Sequence, residues 1–67
     1  MSQENYRLYA NDTPANRQIL DTLEIKYSKV GREDCPRLYV VGDWRYLSQI
    51  MEMLLLDGAD ETETYIW

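Results

Sequence analysis

The chain has 67 residues, a formal net charge of −5 and no histidine, so it is long enough for one small domain with a marginal hydrophobic core. The excess of acidic residues, without a visible basic patch, argues against direct binding of nucleic acid. A lone cysteine, Cys35, excludes an internal disulfide and favours a reducing, cytoplasmic location, and the longest apolar run, residues 53–56, is too short to cross a membrane.

The first part of the chain predicts a strand followed by an amphipathic helix. Residues 1–5 are polar and are expected to be frayed. Residues 6–10 alternate between the two faces of a strand. Asp12 or Thr13 can accept hydrogen bonds from the first helical N–H groups, and Pro14 suits the first turn, so a helix begins here. Its apolar residues repeat at helical spacing: Ala15, Ile19, Leu20 and Leu23.

The middle of the chain predicts two strands separated by a polar loop. Residues 25–30 alternate and fit a short second strand, and residues 31–34 form the loop. Residues 38–41 are apolar, β-branched or aromatic and follow Pro36, which predicts a central strand. Residues 44–46, which include Trp44 and Tyr46, fit either a brief extended piece or the start of a helix.

The last part of the chain predicts a second helix and then an edge strand. Gly58 is a suitable residue to end the helix. Residues 62–67 alternate again, so they form an edge strand or a loose tail, and burial of Ile66 would favour the strand; residues 59–67 are otherwise expected to be flexible. The apolar residues of the helix repeat at helical spacing: Leu47, Ile50, Met51, Leu54 and Leu55.

The predicted fold is a single small α/β domain, residues 1–67, in the order β-α-β-β-(β)-α with an optional C-terminal edge strand. At about ten residues, the first helix is long enough to carry a right-handed crossover. Strand 6–10 is predicted to run parallel to strand 38–41 and beside it. The predicted core is Leu8, Ile19, Leu20, Leu23, Ile25, Leu38, Val40, Leu47, Ile50, Met51 and Leu54.

Two short segments resemble the thioredoxin superfamily. Thr13-Pro14-Ala15-Asn16 stands between the first strand and the first helix, where that superfamily has its Cys-x-x-Cys redox pair. Cys35-Pro36, before the apolar strand, resembles the Thr/Val-Pro segment of glutaredoxins, whose proline is cis. Over about residues 6–55 the chain is similar to a shortened glutaredoxin, and residues 8–14 are also similar to the start of the KaiB clock proteins.

This resemblance implies a thioredoxin/glutaredoxin-like fold that has lost its thiol redox chemistry. Both cysteines of the pair are replaced, by Thr13 and Asn16, and the Gly-Gly that approaches glutathione in glutaredoxins has no counterpart. No cofactor is therefore expected. KaiB proteins lack the redox pair and act by binding other proteins, which implies a redox-silent binding module.

Candidate binding residues lie near the helix starts, beside Pro36 and among the aromatic residues. Thr13 and Asn16 are either docking residues or ordinary caps. Cys35 is either a reactive thiol beside the redox position or a small filler. Six tyrosines and two tryptophans are too many for one small core, so these rings cover the domain's own surface or form a partner-binding patch. The candidate partner-binding set is Thr13, Pro14, Asn16, Cys35, Pro36, Trp44, Tyr46 and Trp67.

Three functions follow from these patterns, and none of them requires a membrane. The leading hypothesis is a redox-inactive module that binds a protein partner as an inhibitor or adaptor, of the small acidic type that bacterial viruses (phages) direct at host proteins; a homodimer is the other use of an aromatic patch. The second is a monothiol, glutaredoxin-like redox enzyme that uses Cys35. The third is an acidic mimic of nucleic acid, in which the acids of residues 57–63 continue across Asp43, Asp34 and Glu33. No paired carboxylates and no metal-ligand spacing stand out, so no other catalytic residue and no metal site is predicted.

Overall fold

The secondary structure follows the alternation and capping signals of the sequence. The computed structural model describes residues 5–67, which form four strands and two helices. In chain order these are β1 (Tyr6–Asn11), α1 (Pro14–Thr22), β2 (Ser28–Arg32), β3 (Cys35–Gly42), α2 (Trp44–Leu56) and β4 (Tyr65–Ile66). Within residues 5–67 the optional strand at residues 44–46 does not form, and the optional C-terminal edge strand is present.

The strands form one sheet in the order β2-β3-β1-β4, and every neighbouring pair is antiparallel. The predicted parallel pairing of the first strand with residues 38–41 is wrong, because Leu8 lies opposite Val40 and Ala10 lies opposite Leu38 in an antiparallel register. The physical reason is the tight turn at Glu33 and Asp34. It reverses the chain after β2, so that β3 returns between β1 and β2.

The connectivity forms two interlocking split β-α-β units, the ferredoxin-like arrangement. Helix α1 joins β1 to β2 with β3 between them, and α2 joins β3 to β4 with β1 between them. The coarser prediction of a small α/β domain is confirmed. The crossover between neighbouring parallel strands, expected of a glutaredoxin-like domain, does not occur among the strands of residues 5–67.

Both helices contribute to one core on a single face of the sheet. Leu23, predicted to be buried, is 41% exposed because it lies at the C-terminal end of α1, where the chain turns away. Ala15 is exposed as well, and Asn16 takes the buried position on that helix. Ile19, Ile25 and Met51 are partly buried against the core. The buried apolar residues are Leu8, Ala10, Leu20, Leu38, Val40, Leu47, Ile50 and Leu54.

Three local features that the sequence left approximate or open are defined by the structure. The second strand is Ser28–Arg32 rather than 25–30, because Gly31 adopts a φ of +95° that lets the chain pair with β3 up to the turn. Residues 44–46 are the first turn of α2, where Asp43 accepts a hydrogen bond from the N–H of Tyr46 (2.8 Å). The peptide bond before Pro36 is trans.

The prediction for the C-terminal end of the chain can be compared with the structure, but most of the prediction for the N-terminal end cannot. The expectation of frayed residues 1–5 falls, apart from Asn5, outside the described residues. At the other end, Tyr65 and Ile66 pair with β1, and Ile66 packs against the core. Within residues 62–67, Tyr65 and Ile66 therefore form the edge strand and Trp67 continues its pairing, whereas residues 62–64 lie outside it.

Each helix ends in the same hydrogen-bond pattern. After α1, the N–H of Glu24 donates to Asp21 and that of Ile25 donates to Leu20. After α2, the N–H groups of Gly58 and Ala59 make the equivalent bonds to Leu55 and Leu54. This is the Schellman motif, which places its first non-helical residue at positive φ. Glu24 has a φ of +58° and Gly58 has a φ of +100°, so only the second end has the residue type that the motif favours.

Glu24→Gly is therefore expected to raise the free energy of unfolding by about 1 kcal/mol, because glycine adopts positive φ without a Cβ clash. Gly58→Ala is the matched opposite change and is expected to lower it by about 1 kcal/mol. A Cβ at Gly58 would meet no atom within 4 Å, so that loss comes from φ alone. Urea unfolding followed by circular dichroism measures both. Shifts of the same sign in the two variants would contradict this explanation.

Leu47→Ala is expected to lower the free energy of unfolding by about 2–5 kcal/mol, through lost burial and a residual cavity. Leu47 is 0% exposed at the centre of the α2 contact with the sheet. Leu56→Ala, on the same helix but 82% exposed, is the control and is expected to change it by less than about 0.5 kcal/mol. Equal urea midpoints for the two variants would show that the core is not where the structure places it.

Candidate functional site

One face of the sheet is not covered by any element within residues 5–67. Since strand side chains alternate between faces, the residues that are not directed at the helices share this second face. We call it the open face. Its side chains are Arg7, Tyr9 and Asn11 from β1, Ser28, Val30 and Arg32 from β2, Cys35, Arg37, Tyr39 and Val41 from β3, Tyr65 from β4, and Trp67 after β4.

Three tyrosines from three strands form a line across the open face, and we call this line the tyrosine row. Tyr9 lies directly opposite Tyr39 on one side and Tyr65 on the other. The ring centroids of Tyr9 and Tyr39 are 6.0 Å apart at an interplanar angle of 46°, and those of Tyr9 and Tyr65 are 5.5 Å apart at 36°. These separations are within the range of favourable aromatic contact. The row is thus an ordered aromatic strip on the solvent side of the sheet.

Two arginines flank the tyrosine row in similar positions. The guanidinium carbon of Arg7 lies 5.4 Å from the centroid of Tyr39, and that of Arg37 lies 5.5 Å from the centroid of Tyr65. Both distances fit cation–π contacts. The aromatic strip is therefore bordered by positive charge on both sides.

The two arginines differ in their other contacts. Arg37 donates to the carboxylate and to the backbone carbonyl of Glu63, and at 3.4 Å to the side-chain oxygen of Asn11. The ion pairs within residues 5–67 are Arg37 with Glu63 and Arg17 with Asp12, so Arg7 has no carboxylate partner in this part of the chain. The guanidinium of Arg37 is therefore held in place by the fold. The guanidinium of Arg7 forms no ion pair within residues 5–67.

The side chain of Trp67 projects from the open face between two depressions, and we call it the Trp67 ridge. Its backbone pairs with that of Arg7 in both directions, at 3.1 and 2.8 Å, while its side chain is 81% exposed. The depression on one side is lined by Trp67 with Tyr9 and Tyr65. The depression on the other side is lined by Trp67 with Asn5, Arg7 and Val41. An extended ligand could therefore contact aromatic surface on one side of the ridge and a guanidinium on the other.

The residues predicted from the helix start have structural contacts in the fold. Thr13 caps α1 by accepting a hydrogen bond from the N–H of Asn16 (3.1 Å), and Pro14 is the first helical residue. Asn16 is 5% exposed, and its side-chain amide donates to the carbonyl of Asn11 (2.9 Å). These contacts match the capping interpretation of Thr13 and Asn16.

The other predicted residues lie at separate places. Cys35 and Pro36 are exposed at the start of β3, where the carbonyl of Pro36 accepts a hydrogen bond from the N–H of Asp12 (3.1 Å), beside the start of α1. Trp44 and Tyr46 lie beyond the other end of β3, in the first turn of α2, and Trp44 makes an edge-to-face contact with Tyr6 at 5.4 Å. Trp67 lies on the open face at the edge strand of the sheet, beside the tyrosine row. The set therefore does not form one surface.

Sequence reasoning missed Arg7 and Tyr39 as site residues, although a signal was present. The tripeptide Arg-Leu-Tyr occurs at Arg7 and again at Arg37. Each copy places leucine toward the helices and arginine and tyrosine on the opposite face, since side chains alternate along a strand. Two such copies on neighbouring strands predict an arginine–tyrosine surface.

Comparisons with protein-family models, with curated proteins and with solved structures give no match for this chain. Within residues 5–67, cysteine and acidic side chains do not gather into a group that could hold a metal ion. No helix in the same range has the length and apolar character needed to cross a membrane. The proposed function below is argued from the open face.

The segment before β4 is ordered by Asp60. Its carboxylate accepts hydrogen bonds from the N–H (2.9 Å) and from the hydroxyl (2.7 Å) of Thr62. These bonds favour the charged form and lower the pKa of Asp60 from its ordinary value of 3.8, with the Thr62 hydroxyl as the largest cause. Because the folded pKa is the lower one, the contribution to stability is present above pH 3.8 and is lost as the pH falls through the folded pKa.

Thr62→Val is therefore expected to raise the pKa of Asp60 toward 3.8, since it removes the hydroxyl donor but keeps the backbone N–H. An NMR titration of the Asp60 carboxyl carbon measures this pKa. Thr22→Val, at the end of α1, is the control and is expected to leave it unchanged. An unchanged pKa in the Thr62 variant would contradict the assigned cause.

Proposed function

We propose that this chain is a small protein-binding module that acts through its open face, as an adaptor or inhibitor of its partner, and not as an enzyme. The observation that supports this most is the tyrosine row with Trp67, an ordered aromatic surface that no element of residues 5–67 covers. Large exposed apolar patches on small domains mark interaction sites more often than chance.

The composition of the open face is that of a binding surface. Trp67 is 81% exposed, Val41 is 50% exposed and Tyr65 is 43% exposed. Tyrosine, tryptophan and arginine dominate the binding energy of protein interfaces. The two aromatic residues bury much area with few rotatable bonds, and arginine supplies several hydrogen-bond donors. The contacts within the tyrosine row also fix these rings before a partner arrives, which reduces the entropy lost on binding.

A protein partner fits this surface better than nucleic acid does. A polyanion approaching a chain of net charge −5 is repelled at long range, and nucleic-acid affinity depends on several phosphate contacts. One of the arginines on the open face, Arg37, is already paired with Glu63. A protein partner can combine apolar contacts with few charges and therefore avoids the long-range repulsion that a polyanion meets.

The other two functions predicted from sequence gain no specific support. Cys35 is exposed at the start of β3, and the chain has no second cysteine. The acidic stripe required of a nucleic-acid mimic is interrupted, because Asp34 precedes β3 and Asp43 follows it. These two residues lie at opposite ends of an 8-residue strand, about 25 Å apart. Arg37 lies on the strand between them.

The two tryptophans of the chain provide a matched test of the open face. Affinity capture from a lysate of the source organism, with quantitative mass spectrometry, is compared for the unchanged chain, Trp67→Ser and Trp44→Ser. Because Trp67 has the position and exposure of an interface hot spot, its loss is expected to weaken retention of the partner by at least about 2 kcal/mol, roughly thirtyfold. Trp44→Ser, at the start of α2, is expected to retain it.

Two results would count against the proposed function. One is capture of nothing above background by the unchanged chain. The other is capture that survives Trp67→Ser but not Trp44→Ser, which would move the binding surface to the start of α2. Near-ultraviolet circular dichroism of both variants confirms that the fold is retained.

A further inference from the structure

Strands β1, β2 and β3 together carry a positive net charge, whereas the whole chain carries a negative one. Strands β1, β2 and β3 contain no aspartate and no glutamate, but they contain Arg7, Lys29, Arg32 and Arg37. The net charge of the chain is −5, so the acidic residues are concentrated in the helices and connecting segments. The three arginines lie on the open face, and Arg37 is paired with Glu63. A ligand there therefore meets the guanidinium group of Arg7 beside the tyrosine row and that of Arg32 at the end of β2.

The contacts of Arg37 indicate which kind of group an arginine beside the tyrosine row binds. It lies over Tyr65, and its donors contact the carboxylate and the carbonyl of Glu63. Arg7 lies over Tyr39 in the same way, at nearly the same distance, but no carboxylate of residues 5–67 pairs with it. The guanidinium fork matches a carboxylate in geometry as well as in charge.

The surface next to Arg7 is shaped for an extended chain. The depression lined by Arg7, Val41 and Trp67 lies beside the Trp67 ridge, and the second depression, with Tyr9 and Tyr65, lies across it. One extended segment that crosses Trp67 would place a carboxylate on Arg7 and an apolar side chain against Tyr9 and Tyr65.

We propose that the ligand of the open face is an extended acidic peptide segment of another protein, whose aspartate or glutamate carboxylate binds Arg7 while a neighbouring apolar side chain packs beside Trp67. This inference rests on the proposed function and adds the chemistry of the partner. The proposal rests on charge complementarity. The open face presents an arginine, Arg7, without a carboxylate partner among the described residues. Strands β1, β2 and β3 contain no acidic residue that would compete for it.

The test uses the full chain as bait for a displayed library of random linear peptides. Enriched peptides are synthesised together with forms in which each Glu or Asp is replaced by Gln or Asn, and binding is measured by isothermal titration calorimetry, which does not depend on the tryptophans that the variants remove. Arg7→Gln is expected to weaken binding of the acidic peptides about tenfold or more, because a charge-assisted bidentate pair is lost. The neutral peptides are expected to bind the unchanged chain and Arg7→Gln equally, which isolates the coupling between the two groups.

Arg45→Gln is the matched control, since it removes the same charge from an exposed position on α2, outside the open face. It is expected to change the affinity less than about twofold, as for a distant surface charge screened by salt. Arg7→Lys provides a second variant in case Arg7→Gln fails to fold, and it is expected to bind the acidic peptides several-fold more weakly because the fork is lost.

The outcomes separate this inference from the proposed function. Peptides without acids that lose affinity with Trp67→Ser but not with Arg7→Gln would overturn the inference and leave the binding module in place. Peptides that bind Trp67→Ser and the unchanged chain equally would overturn both. No enriched peptide at all would overturn the inference alone, because the binding module is tested separately by affinity capture. Tighter binding of single-stranded oligothymidylate than of any peptide would overturn the inference in favour of nucleic acid. Self-association that is lost with Trp67→Ser, and that blocks the peptides, would overturn it in favour of a second copy of this chain.

Discussion

The register of β1 between β3 and β4 determines what each face of the sheet presents. β1 is hydrogen-bonded on both sides, so its alternation is shared by three strands. Leu8 and Ala10 point into the core, and Arg7 and Tyr9 point to the open face. A shift of one residue would exchange the two sets and would bury an arginine under the helices. The core and the candidate binding surface therefore depend on the same backbone pairing.

The tyrosine row has two physical roles that are difficult to separate. Its cross-strand contacts stabilise the sheet, since aromatic pairs of this kind contribute roughly 0.2–1 kcal/mol each. Under the proposed function, they also hold the rings in place for a partner. A domain of this size has little stability to lose, so a tyrosine substitution would change binding and folding together. Trp67 and Arg7 lie at the edge of the row with exposed side chains, and they report on binding with less effect on the fold.

Local features of the fold could be predicted from the sequence, but the pairing of its strands could not. Thr13 and Pro14 mark the start of α1, and Gly58 marks the end of α2, because capping depends on residues within one turn. Strand direction depends on the reversal at Glu33 and Asp34 together with the path of α1, and neither is encoded in the alternation of β1 or β3. The expectation of a parallel pair was wrong for this reason: it depended on the global path of the chain and not on local chemistry.

Only part of the candidate site could be predicted from the sequence, because the net charge of the chain does not reveal the charge of one face of the sheet. Trp67 was identified as an aromatic residue in excess of the core, and it lies on the open face. Arg7 and Arg37 were not identified, since seven cationic residues in a chain of net charge −5 show no basic run. Strand alternation and antiparallel pairing place arginines from distant parts of the sequence on one surface without adding an acid to it. In this chain the charge of one strand face therefore differs from the charge of the whole protein, and the proposed partner is inferred from the face.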